Sequence, residues 1–209
     1  MSEHRERRCW RPEEELRIME PEGKRPRIVG LAVPYEKLSK RLGRHREIVR
    51  RGAFSESLAA GGDLRADVEH DEGKLLGRSK ANTLKMWEDE RGVWAEIVVP
   101  NTTVGNDALE DVRSRLRDAM SVTWKRAGLE DGFCNTPDGV VREIRKARLT
   151  GVTLTAFPAY PQTAGELVER SLAAWQKEQE EAEQEEDPPE ATPTAVRRRL
   201  LDLDEKALD

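Results

Sequence analysis

Apolar residues in this chain fall in short runs between turn-forming residues, except for one stretch near the middle and another near the end. Leu16–Met19 and Arg27–Val33 read as strands joined through PEGKRP, and Pro34 stops the second. Ile48–Arg50 is a short strand, and GAFSESLAAGG reads as a brief helix ended by Gly61 and Gly62. Asp67–His70 closes a further strand ahead of the turn DEGK. Thr83–Trp87 and Val93–Val99 flank EDERG, a hairpin in which Gly92 supplies the positive φ.

Between residues 103 and 119 the period changes. Leu109, Val112, Leu116 and Met120 recur at three and four, one face of an amphipathic helix. Asp107 reads as its N-cap, with Glu110 completing a capping box. Alternation returns in MSVTWK, PDG turns the chain, VVREIRKARL runs back, and VTLTAF ends at Pro158. From about Gly165 the chain becomes helix-prone and charged, with Leu167, Leu172 and Trp175 too sparse for a continuous stripe, and DPPEATPT breaks it. The expected class is β-rich α+β. An extension with a first strand covers 1–27, one domain covers 28–165, and a weakly helical tail covers 166–209.

Composition sharpens this division. Charged residues reach 37% against 36% hydrophobic, more polar than a fully packed chain of 209 residues requires. Residues 178–209 hold 12 acids and 4 bases, so the net charge of −5 belongs to the tail and the body is slightly positive. The basic clusters RKARL and VRRRL have no interleaved aromatics, which argues against a nucleic-acid footprint. Two distant cysteines, Cys9 and Cys134, suit a reducing compartment and offer no metal-ligand spacing. No apolar run approaches membrane-spanning length and the first residues have no signal-like core, so a soluble cytosolic protein is expected.

Packing needs do not account for Ser121, set between bulky residues in AMSVTW, or for His70 at a strand end. Ser121 should face away from Met120 and Val122. A hydroxyl becomes a nucleophile when a neutral imidazole can take its proton, and such groups may come from anywhere in the chain. Spacing alone does not choose between that and a turn histidine beside an ordinary strand serine. His4 and His45 are expected to be solvated, and Cys134 is expected to be a partly exposed loop thiol. Trp87, Trp94 and Trp124 should be core or sheet-face residues.

Taken in order, IVGLAVPY, REIVRRGAFSESL, HDEGKLLGR, WEDERGVWAEIVVP, AMSVTWK and VREIRKARLTGVTLTAFPAYPQT resemble the HK97-type prohead proteases of tailed phages, serine proteases of capsid maturation. The resemblance spans roughly residues 28–164. It implies a herpesvirus-protease-like small β-barrel with surrounding helices, and catalytic residues at His70 and Ser121. It implies no metal or organic cofactor, with the major capsid protein and its scaffold segment as substrates and the chain's own ends as further targets. The site of action would be the procapsid in the bacterial host cytoplasm, without nucleic acid or membrane; a homodimer is compatible with it.

The family's third catalytic member, an acid in a pattern like LLEVSVVTFPAYPQT, falls here on Gly151. A Ser–His dyad is therefore expected, with Thr153, a water or Asp71 orienting the imidazole. Glu143 is too far along the strand to serve. The missing acid also supports an alternative, a catalytically impaired protease-fold protein acting as a procapsid assembly or scaffolding factor.

Overall fold

The structure, a computed structural model, describes residues 5–10, 16–156 and 162–186. His4, the strand end expected at Pro158 and the tail beyond residue 186 lie outside them. Two compact units divide the chain, Met1–Glu169 and Arg170–Asp209.

Among the described residues the strands form two sheets. One contains β1 (Arg5–Trp10), β4 (His45–Val49), β5 (Arg65–Val68), β6 (Asp71–Arg78), β9 (Ala119–Thr136) and β10 (Gly139–Thr155). Its order is β1-β9-β10-β5-β6, and β4 also pairs with β10. The other sheet, in the order β2-β3-β8-β7, contains β2 (Arg17–Met19), β3 (Arg27–Pro34), β7 (Leu84–Glu88) and β8 (Gly92–Val98). The helices are α1 (Ser55–Ala59), α2 (Thr103–Arg113) and α3 (Gln162–Glu186), of which α3 runs from the first unit into the second. The class is β-rich α+β, as the alternation predicts.

One core joins the two sheets. Ile28 and Val33 of β3 and Val93, Ala95 and Ile97 of β8 cluster with Met120, Val122 and Trp124 of β9 and Val152 and Leu154 of β10. The period of two places Met120, Val122 and Trp124 on the core face and leaves Ser121 and Thr123 on the other.

Several elements depart from the sequence reading. The 103–119 helix stops at Arg113, leaving Leu116 66% exposed and handing Met120 to β9. Its N-cap is Thr102, whose hydroxyl accepts from the Gly105 amide at 3.2 Å; the helix already contains Asp107. The DEGK segment belongs to β6, and the turn falls one step earlier, on Glu69 and His70. His45 is buried because β4 directs it inward with Glu47 and Val49. Cys134 lies within β9 opposite Val141, not in a loop, and burial pushes its thiol pKa up. Arg5–Trp10, unmarked by periodicity, forms β1.

Gly92 has φ +152° as expected, and a Cβ there would lie 1.9 Å from the Val33 carbonyl. Gly92→Ala should therefore destabilise the domain by on the order of 3 kcal/mol, read as a lowered denaturant midpoint with an unchanged m-value.

Candidate active site

Strand register builds the site. Ser121 on β9 stands opposite Thr153 on β10, and Thr153 stands beside Asp67 on β5. Directly paired residues project from the same face of a sheet, so Ser121, Thr153 and Asp67 form a row across three neighbouring strands. Ser121 and Thr153 are 0% and 1% exposed.

His70 reaches the row through a strained turn. Val68 and Asp71 pair across the β5–β6 hairpin, and the two residues between them, Glu69 and His70, have φ of 53° and 58°. Two successive positive φ values are the mark of a type I′ turn, for which Asn-Gly is the usual filling. Holding two side-chain-bearing residues there costs about 1–3 kcal/mol each. The Glu69 clamp offsets that cost. Its amide donates to the Leu154 carbonyl at 3.0 Å. Its carboxylate accepts from the Thr155 hydroxyl at 2.7 Å, the Ala156 amide at 2.8 Å and Arg117 Nε at 3.0 Å. Burial pushes the Glu69 carboxyl up, but the bonds from Ala156, Thr155 and Arg117 outweigh it and hold the pKa below 4.5.

Held this way, the His70 ring brings Nδ1 within 3.0 Å of Thr153 Oγ1. The same Thr153 oxygen donates to Asp67 Oδ1 at 2.6 Å. A hydroxyl has one proton and an ionised carboxylate only accepts. With that proton directed at Asp67, Thr153 can only accept from His70, which fixes the hydrogen on Nδ1. The buried Nε2 is left as the basic nitrogen. Ser121, for its part, donates to the main-chain carbonyl of Arg8 at 3.0 Å. His70 and Ser121 thus both adjoin Thr153. A pocket of about 50 Å³ opens beside the row, with Asp67, His70, Thr123 and Gly151 in its lining.

The other expected residues sit differently. Asp71 is exposed on β6, where its carboxylate accepts from the Gly73 amide at 2.9 Å and lies 3.5 Å from Lys74. Glu143 pairs with Arg50 and Arg145. Gly151 could not take an acid in place, because a Cβ there would stand 2.4 Å from the Arg65 carbonyl of the adjacent strand. Sequence reasoning missed Asp67 and Glu69. The signal for Asp67 was present in RADV, where Ala66 and Val68 are the buried pair and the acid between them must face the opposite way.

A family model described as caudovirus prohead serine protease matches residues 14–178. The chain belongs to the prohead serine protease family. The solved structure of the capsid assembly protease of bacteriophage T4 aligns with 74% of this chain and 98% of that one, at 17% identity and a TM-score of 0.43. No curated protein matches the sequence. In this prohead protease the resemblance read from HDEGKLLGR and AMSVTWK is thus confirmed at the level of the family. Among the described residues no helix is long and apolar enough to cross a membrane.

The clamp has a measurable consequence. Because the Glu69 pKa is depressed on folding, its contribution is present above the unfolded value of 4.5 and fades as pH falls through the folded value. Glu69→Ala should cost about 1–2 kcal/mol at pH 7. Denaturant titrations of variant and wild type should converge as pH falls through the folded Glu69 value, which lies below 4.5.

Proposed function

We propose that this protein is the endopeptidase of procapsid maturation, working through Ser121, His70 and Thr153 with the charge of Asp67 behind them. The observation that carries this is the Thr153 hydroxyl, shared between Asp67 and His70 Nδ1 in the row that contains Ser121. As Ser121 Oγ attacks the scissile carbonyl carbon, His70 Nε2 takes its proton. The imidazolium that forms is stabilised through Thr153 by Asp67, the task a third catalytic acid performs directly in a triad. His70 then gives the proton to the leaving amine, and water, activated by the same nitrogen, releases the acyl group. The dyad expected around Gly151 becomes a relay whose carboxylate comes from β5.

The substrates that fit the family are the major capsid protein and its scaffold segment, cut inside the procapsid in the host cytoplasm. The herpesvirus-protease-like barrel remains the architecture that the family resemblance suggests; among the described residues the strands lie in two sheets that share one core. The alternative of an impaired assembly factor rested on the missing acid at Gly151, and Asp67 supplies that charge at one remove.

Co-expression with the cognate capsid protein tests the assignment by mass spectrometry. Wild type should process it, Ser121→Ala and His70→Ala should not, and Thr153→Val should slow processing by about 10²–10⁴-fold while remaining folded. Identical unprocessed capsid protein from wild type and Ser121→Ala would leave the assembly-factor role.

A further inference from the structure

Strand β1 precedes the segment matched by the family model, yet it occupies the most consequential edge in the molecule. It pairs antiparallel with β9 from Arg5↔Lys125 to Trp10↔Met120, with Cys9 opposite Ser121. The Ser121 hydroxyl is bonded to the Arg8 carbonyl. Extended peptides commonly bind by adding a strand to a sheet edge, where main-chain bonds supply affinity and alternate side chains supply specificity. A protease must also bring a substrate carbonyl to about 3–3.5 Å from its nucleophile. β1 pairs with the strand that carries Ser121 and sets a main-chain carbonyl against its hydroxyl, as such a peptide would.

Its alternate side chains enter a built chamber. Arg8 donates to Glu47 through Nε and, at 2.8 Å, through Nη2, and its guanidinium lies 5.5 Å from the centre of the Trp124 ring. Glu6 accepts from Arg142 at 2.8 and 3.1 Å and from Arg126 at 2.8 Å. Glu6, Glu47 and Arg142 are each at most 1% exposed, and Arg8 is 5%. Burial pushes the Glu47 carboxyl up, but the charge and bonds of Arg8, with His45 and Arg142, bring it well below the usual range.

The chamber divides into two neutral halves. β1 brings one acid and one base, Glu6 and Arg8, 3.0 Å apart. The domain keeps Glu47 and Arg142, 2.8 Å apart, with Asp131 paired to Arg142 and the partly exposed Arg126 at the rim. An uncompensated buried charge is what makes breaking such a cluster prohibitive. Here the two buried side chains of the strand, Glu6 and Arg8, leave as a neutral pair, and Glu47 and Arg142 stay paired with each other. Any strand that replaces β1 meets the same buried Glu47 and Arg142, with Arg126 beside them.

Resting on the assignment of Ser121 as nucleophile, we propose that the β9 edge is the substrate-strand site of this protease and that β1 fills it as an intramolecular substrate mimic. Glu47 and Arg142 select an extended peptide with an acid and, two residues later, a base whose carbonyl meets Ser121. While β1 is seated, Ser121 is masked and its proton is held by Arg8 instead of His70.

The test compares Ser121 labelling by a fluorophosphonate probe in the wild-type full chain and in full-chain Glu6→Gln/Arg8→Met, with circular dichroism as the check on folding. The double variant should label at least tenfold faster. A synthetic peptide of residues 3–12 should return it to the wild-type rate, and the same peptide with Arg8→Glu should not. Should the double variant fail to fold, Trp10→Pro removes a main-chain donor on the β9 side, the side to which the Arg8 carbonyl also points, while leaving both buried charges in place, and should accelerate labelling likewise. Equal rapid labelling of wild type and folded variants would overturn the mask while leaving Ser121 as nucleophile. Equal protection by both peptides would overturn the role of Glu47 and Arg142. Absence of labelling in every chain would remove the nucleophile and this proposal with it.

Discussion

The register of three strands governs this molecule. Ser121 meets Thr153, and Thr153 meets Asp67, only because β9, β10 and β5 pair in one particular alignment. A slip of one residue would turn Ser121 into the core and bring Val122 or Met120 to the site face. The alignment is protected by what lies on the other face, where Met120, Val122, Trp124, Val152 and Leu154 fill the core. Hydrophobic packing on one side of the sheet therefore sets polar geometry on the other.

That rigid row contrasts with the way the histidine is delivered. His70 sits on a two-residue turn that its sequence does not favour, held by the many hydrogen bonds of its neighbour Glu69. The side chain that carries strain is next to the side chain that relieves it. Between them the imidazole is set against Thr153 with one nitrogen assigned, which fixes its tautomer before any substrate arrives.

Gly151, where the resemblance leads one to expect an acid, looks like a loss when read along one strand. Across strands it has a steric basis: the Arg65 carbonyl fills the space where a Cβ would stand. Two residues further along the same pair, Thr153 faces Asp67, and the negative charge enters from β5. In the proposed mechanism the relay is longer by one hydroxyl, and Thr153 is the link that makes it continuous.

Much of this was legible in the chain itself. Period-two alternation found most strands, the 3.6 period found the start of α2, and the order of several motifs gave the family and nominated His70 and Ser121, which the fold places on either side of Thr153. Those signals are local, because they depend on which face a residue shows within its own segment. The sequence did not disclose Asp67 as partner of Thr153, the crowding at Gly151, the burial of His45 or the docking of Arg5–Trp10 as β1. Each depends on which strand lies beside which, and in what register. An alternating pattern determines the face a side chain occupies but not its neighbour across the ladder, so pairing of distant segments decided the chemistry.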